Sequence, residues 1–169
     1  QNPCVITAVS ARPGTSSPAT NNRPSIGDTP SAAKNSALTR HAFVGSAVRV
    51  AIFLSPLDVH VNRSPIAGLV VGVTYAPGRF LPAYRHEAGE ANERCALHLQ
   101  GEGARVTVTQ IAGAVARRVV CRARVGDKLE AGERYGMIRF GSRTDCTMPR
   151  GTEVRVAAGD RVRAGVTVI

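Results

Sequence analysis

A period-two alternation that begins at Ala47 restricts the fold of this chain more than any other property of its sequence. Val48, Val50, Ile52 and Leu54 interleave with Arg49, Ala51 and Phe53, the pattern of a strand with one buried face. Residues 59–75 read as strand, turn, strand, with Ser64-Pro65 and Ala67-Gly68 as punctuation and Ala76-Pro77-Gly78 as the break. Residues 81–94 hold few β-branched side chains and several charges, which predicts a loop or a short helix. A hairpin is expected from 95–99 and 105–111 around Gly101-Glu102-Gly103, and a further strand over 119–125. An internal repeat follows. Val125-Gly126-Asp127-Lys128-Leu129-Glu130-Ala131-Gly132 is echoed by Ala158-Gly159-Asp160-Arg161-Val162-Arg163-Ala164-Gly165. Each copy is a Gly-Asp turn, an alternating pair and an Ala-Gly turn, the grammar of small barrels and of sandwiches built from two similar halves. The expected fold class is therefore mainly β: one barrel- or sandwich-like domain over 47–169 with an internal hairpin repeat. Residues 1–46 differ. The stretch 11–46 is rich in Ser, Thr, Asn, Pro and Gly, so this segment is expected to be of low order with one short strand over 5–9.

Composition narrows the function classes. Aromatic residues are 4% of the chain and Trp is absent, which disfavours single-strand nucleic-acid binding by base stacking. The net charge is +10, and all the basic residues except Lys34 and Lys128 are arginine. That balance favours an anionic partner, with Arg117, Arg118, Arg122 and Arg124 as the densest cluster. The same arginines also read as a solvated strand face. Cys4, Cys95, Cys121 and Cys146 contain no CxxC pair, which points to free thiols in a reducing compartment. No apolar run approaches the ~20 residues of a membrane span. No charged-then-apolar leader opens the chain, which starts at Gln1 and reads as a fragment or a processed form.

Four blocks then occur in order. They are Phe53-Leu54-Ser55-Pro56-Leu57-Asp58-Val59-His60-Val61-Asn62-Arg63-Ser64-Pro65, Glu90-Ala91-Asn92-Glu93-Arg94, Gln110-Ile111-Ala112-Gly113-Ala114-Val115-Ala116-Arg117-Arg118, and Gly132-Glu133-Arg134-Tyr135-Gly136-Met137-Ile138-Arg139-Phe140-Gly141-Ser142-Arg143. Together they resemble the phosphatidylserine decarboxylase family in its short prokaryotic form, over about residues 48–169. By itself Gly141-Ser142 is a common turn pair. The resemblance implies that it is a self-cleaved bond. Ser142 Oγ attacks the Gly141 carbonyl, and the chain divides into 1–141 and 142–169. Ser142 becomes a pyruvoyl group, whose ketone takes the substrate amine and whose amide carbonyl draws off charge as CO2 leaves. The implied activity is that of a carboxy-lyase converting phosphatidylserine to phosphatidylethanolamine.

Asp58-Val59-His60 resembles the family's His-bearing motif, which implies acid–base work for His60; its unperturbed pKa of about 6.5 suits that role. Asp58 lies two residues away on the same face of a presumed strand, placed to orient the imidazole. Arg117 and Arg118 suit a phosphate, because the guanidinium grips phosphate oxygens in a fork; they equally suit an ion pair with Glu93 or Glu133. Asn62 and Arg63 complete the expected substrate-binding set, and Asn92 and Arg94 are further donors. His41, His86 and His98 read as surface or packing residues, and Cys146 as a small buried hydrophobe. The implied partners are a phospholipid substrate and an anionic membrane surface, approached peripherally at the cytoplasmic face. Nucleic acid is not expected. The two cleaved chains should stay associated, and a homo-oligomer is compatible.

Two departures stand out. Larger family members carry a second His three residues after the first, where this chain has Arg63. The family's acidic Ser-Pro-Ala-Asp-Gly-like motif is also missing: Ser10-Ala11-Arg12-Pro13-Gly14 has no carboxylate, and nothing around Asp28 supports it as a substitute. Either His60 serves both steps or self-cleavage is impaired. The alternatives are thus a degenerate homologue that binds anionic lipid head groups, an archaetidylserine decarboxylase, a carrier-type domain modified at Lys128, and, on charge alone, a nucleic-acid binder.

Overall fold

The computed structural model describes residues 4–12, 47–115 and 118–169, with strand β1 (Cys4–Arg12) described by its backbone alone. The expected low order of 13–46 lies outside the described residues, as do Asp28, His41 and Arg117. The strand expected over 5–9 falls within β1.

The chain folds into two antiparallel sheets with one short helix. The elements after β1 are β2 (Ala47–Leu54), β3 (Val61–Arg63), β4 (Gly68–Ala76), α1 (Ala88–Ala91), β5 (Arg94–Gln100) and β6 (Arg105–Ile111). There follow β7 (Val119–Cys121), β8 (Lys128–Leu129), β9 (Arg134–Ile138), β10 (Ser142–Pro149) and β11 (Arg161–Val162). Eight strands form one sheet in the order β11-β1-β2-β10-β6-β5-β4-β8, and three form the other in the order β3-β9-β7. Neither sheet closes on itself, so the expected mainly-β class holds without a closed barrel. Leu97, Leu99, Val50 and Val106 from the large sheet and Ile138 and Val119 from the small one share a single core.

The repeat explains how the large sheet ends. β8 and β11 lie in equivalent positions of the two copies, and each forms an outer strand, β8 against β4 and β11 against β1. The turns match atom for atom. Asp127 Oδ2 accepts from Arg124 N at 2.7 Å, and Asp160 Oδ2 accepts from Ala157 N at 2.7 Å. Gly126 and Gly159 take φ of 97° and 98°, which residues with a Cβ rarely adopt. The same cap shortens the strand expected over 119–125 to Val119–Cys121, because Asp127 turns the chain at Arg124.

Strand β2 also departs from simple alternation. Val50 and Leu54 are buried, but so are Ala47 and Ala51 on the other face. That second face is covered because Arg49 reaches Asp145 and Phe53 packs edge-on against Tyr84, with ring centroids 6.2 Å apart.

The thiols of β5 and β7 meet. Cys95 hydrogen-bonds to Cys121, which lowers Cys121 to about 7 and raises Cys95, whose own burial adds to the rise. Burial pushes the Cys146 thiol up to about 12. Since the thiolate is the nucleophile, iodoacetamide at pH 8 should label Cys121 well ahead of Cys95 and Cys146. Peptide mass spectrometry reads this directly. Equal labelling of the three would contradict the arrangement.

Candidate active site

His60 lies just before β3 in the small sheet, and Ser142 opens β10 in the large one. Two polar bridges hold these strands in register. Asn62 Nδ2 donates to Thr144 Oγ1 at 2.8 Å, and Gln110 Nε2, from β6, donates to Asn62 Oδ1 at 2.7 Å and to the Val120 carbonyl at 3.2 Å. Gly136 leaves the room that Gln110 needs, since a Cβ there would lie 2.7 Å from Nε2. Two residues back along each strand from Asn62 and Thr144, His60 Nδ1 faces Ser142 Oγ at 3.4 Å. The His60 carbonyl accepts from Ile138 N at 3.1 Å, which fixes the backbone beneath the ring. Phe140 covers the imidazole edge-on, with centroids 5.7 Å apart. Ser142 is fully buried.

The peptide before Ser142 is held in an unusual conformation. Phe140 has φ of 32° and is the one non-glycine residue with positive φ among the described residues; Gly141 follows at 62°. A side chain in that region costs roughly 1–3 kcal/mol and persists only where its surroundings impose it. Those surroundings are identifiable. Pro56 lies against Gly141, and a β-carbon built on Gly113 would overlap the Gly141 carbonyl oxygen. Gly113 is itself anchored: Asn92 Nδ2 donates to the carbonyls of Ala112 at 2.7 Å and Leu81 at 2.8 Å, and Asn92 Oδ1 accepts from Leu81 N at 2.9 Å. Asn92 thus staples two loops against the Gly141 carbonyl rather than offering donors to a substrate.

On the opposite face of β10, Arg143 donates through Nε and Nη2 to both carboxylate oxygens of Asp145, each at 2.6 Å. Arg143 Nη1 also reaches the Arg85 carbonyl at 3.3 Å, tying the 79–87 loop to the strand that starts with Ser142. Both side chains of the pair are about 95% buried. Removing one partner of such a pair costs about 3–5 kcal/mol, because the other charge is left buried and unpaired. Asp145→Ala should therefore lower the unfolding free energy in urea by about that amount; a change below ~1 kcal/mol would mean the pair is not buried in solution.

The structure brings His60 and Ser142 together with Gly141, sets Asn62 and Arg63 on the wall of the neighbouring cavity, and leaves Asp58 and Arg118 outside both. Asp58 does not share a strand face with His60, because β3 starts only at Val61. Its carboxylate closes the turn at 55–58 by accepting from Ser55 N at 2.7 Å, and His60 Nε2 is buried without a hydrogen-bond partner among the described residues. Asn62 spends its amide on the inter-sheet bridge. Arg63 donates to the Gly132 carbonyl at 2.8 Å and packs beside Gly165, the corresponding glycine of the second repeat. Arg118 is exposed at the start of β7; the neighbouring Glu93 accepts from Val119 N at 3.2 Å and Glu133 from Glu130 N at 2.8 Å. His98 bonds Thr107 across β5 and β6 at 2.9 Å, and His86 is exposed. Thr144, Gln110, Gly113 and Phe140 are the site residues that sequence reading did not single out by role.

Chemically, a hydroxyl within reach of an imidazole, adjoining a strained Gly carbonyl, suits intramolecular acyl transfer. Val59 and Thr144, neighbours of the pair, line a cavity of about 620 Å³ whose walls include Ile52, Leu54, Val106 and Val108.

Comparison with known proteins points to one family. The family model described as phosphatidylserine decarboxylase matches residues 17–169. A phosphatidylserine decarboxylase proenzyme of Symbiobacterium thermophilum is 53% identical over 126 residues, 74% of this chain and 59% of the relative. The proenzyme of Streptomyces coelicolor is 54% identical over 121 residues, 72% of this chain and 55% of its own length. That of Chlorobium phaeobacteroides is 45% identical over 130 residues, 76% and 61% respectively. The chain thus spans a little over half the length of these relatives. No solved structure matches it. With the family model covering nearly the whole chain and relatives at about half identity, the chain belongs to the phosphatidylserine decarboxylase family.

Proposed function

We propose that Ser142 attacks the Gly141 carbonyl, cleaves the chain into 1–141 and 142–169, and becomes the pyruvoyl group of an enzyme that decarboxylates phosphatidylserine to phosphatidylethanolamine. The observation that carries this reading is the contact of His60 Nδ1 with the buried Ser142 Oγ directly after the strained Phe140-Gly141 segment. His60 takes the hydroxyl proton as Oγ bonds to the Gly141 carbon. The Gly141–Ser142 amide then breaks, the nitrogen leaves with a proton, and an ester joins the two segments. Elimination across Cα–Cβ of residue 142 releases the carboxylate of Gly141, and water displaces ammonia from the new terminus. The position suits the group so formed: it is buried, lies beside the His60 imidazole, and is flanked in sequence by Val59 and Thr144, which line an aliphatic cavity of the size that lipid-like ligands occupy. A pyruvoyl group supplies the electron sink that ordinary side chains lack. His60 remains beside it to return a proton after CO2 departs. The fragment 142–169 stays bound because β10 is paired on both sides, with β2 and β6.

Arg117 and Arg118 are assigned to the lipid phosphate on chemistry alone. The family and the net charge of +10 support peripheral attachment to the cytoplasmic face of a membrane. Among the described residues no helix is long and apolar enough to cross one. A serine head group on an archaeal lipid backbone meets the same site. One observation favours a second reading, a degenerate homologue that binds head groups without cutting itself: the unpartnered His60 Nε2, where a base usually has an orienting group.

The test is to incubate the protein with phosphatidylserine or archaetidylserine in mixed micelles and follow CO2 and aminolipid. Stoichiometric release of CO2 supports the enzyme and ranks the substrates. Head-group binding without CO2, by an uncut chain, supports the degenerate reading.

A further inference from the structure

Four turns converge on the Gly141 carbonyl, and each leaves a large apolar side chain in solvent. The 55–58 turn reaches Gly141 through Pro56, the 79–87 loop reaches Gly113 through Ala83, and Gly113 meets the carbonyl itself. Their tips are Leu57 at 81% exposure, Tyr84 at 64%, Val115 at 67% and Phe140 at 54%. Single exposed apolar residues are ordinary; four on adjoining turns around one buried serine form a patch, and such patches mark interaction surfaces.

The same turns are basic. Arg79, Arg85, Arg118 and Arg139 are exposed on them. The carboxylates on or beside these turns are Glu87 and Glu90, which are exposed, Glu93, whose side chain accepts from Val119 N, and Asp58, which is folded back onto Ser55 N; the chain as a whole carries +10. An apolar tip ringed by arginine matches the water–lipid boundary of an anionic bilayer, where apolar area and cationic charge both favour binding. The bond between Gly141 and the buried Ser142 directly follows the Phe140 tip, so seating these turns in the interface brings the membrane to the side of the protein that holds that bond. We infer that this rim, with Leu57, Tyr84, Val115 and Phe140 inserted and the arginines at head-group level, is the surface by which the protein docks on an anionic membrane. The inference rests on the lipid-substrate reading, but its test does not require turnover.

The test is co-flotation with vesicles of phosphatidylcholine alone and of phosphatidylcholine with phosphatidylglycerol, which is anionic and carries no serine. The protein should float with the anionic vesicles and detach as salt rises, since exposed charges are screened. Leu57→Glu with Val115→Glu should weaken that partitioning at least ~10-fold. Leu69→Glu with Val125→Glu, exposed at the start of β4 and on the turn before β8, should leave it unchanged. Arg85→Gln with Arg118→Gln should weaken it by about fivefold per charge removed and flatten the salt dependence; this pair decides the matter if circular dichroism shows the Leu57/Val115 pair unfolded. Failure of the wild type to bind, equal losses in both Glu pairs, or unchanged binding by the rim pair would each overturn the inference. So would a dimer in sedimentation velocity that the rim pair dissociates without loss of vesicle binding, because the rim would then be covered by a second copy. Vesicle binding that is lost as expected by an uncut chain would leave the rim standing and sink the enzyme reading.

Discussion

Gly113→Ala is expected to yield a folded chain that cleaves itself at least ~100-fold more slowly than the wild type. Its new methyl group has no room: the Cβ position of residue 113 overlaps the Gly141 carbonyl oxygen. The 112–113 segment cannot retreat cheaply, because Asn92 holds the Ala112 carbonyl and Ala112 N donates to the Glu93 carbonyl at 2.9 Å. The strained 140–141 segment is the softer side of the contact, so the carbonyl should move. A displacement of about 1 Å from attack geometry can cost on the order of 100-fold. The measurement is the fraction of cut chain against time on denaturing gels, with urea unfolding as the control for fold. Wild-type cleavage in a stable Gly113→Ala protein would show that the Gly141 carbonyl is not held where the structure has it.

His60→Ala should reduce both self-cleavage and decarboxylation, each by about 10²–10⁴-fold, the range for loss of a general acid–base group. Loss of the ring leaves the Ser142 hydroxyl without the only side-chain partner found for it among the described residues. Asn62→Ala provides a contrast. It leaves the imidazole intact and removes the bridge to Thr144, so added imidazole should restore activity to His60→Ala and not to Asn62→Ala. Rescue of neither, or equal rescue of both, would place His60 outside the proton-transfer step.

Much of this architecture was readable in advance, and the physical reasons are specific. Turn chemistry is local, so the Gly-Asp repeat announced two equivalent capped turns, and they occur with matching bonds at Asp127 and Asp160. What the repeat could not convey is that its copies lie at the two ends of one sheet, because strand order is a tertiary property. His60 and Ser142 were singled out through the family blocks; their 82-residue separation gives no local signal, and only the crossing of β3 and β10 brings them to 3.4 Å. Asp58 shares no strand face with His60 because the strand expected from residue 59 begins only at Val61. A Ser-Pro-x-Asp turn, in which the carboxylate satisfies the first residue's N–H, was the better reading of Ser55-Pro56-Leu57-Asp58. Asn62 and Arg63, expected as substrate donors, line the cavity beside the site and also bond Thr144, Gln110 and Gly132, which is a tertiary arrangement with no local signal. Gly113 sat inside a quoted block with no role, since a glycine's need for space shows only when its neighbour is known.

The most direct test of the central claim is the intact mass of the purified protein under denaturing conditions, with Ser142→Ala beside it. The account predicts two species from the wild type. One is 1–141 ending in a free carboxylate; the other is 142–169, lighter by one ammonia than its sequence mass and blocked to Edman chemistry. Ser142→Ala should give one uncut chain. A single wild-type species at the full mass, unchanged after incubation with phospholipid, would contradict self-cleavage at Gly141-Ser142 and leave a head-group-binding homologue as the surviving reading.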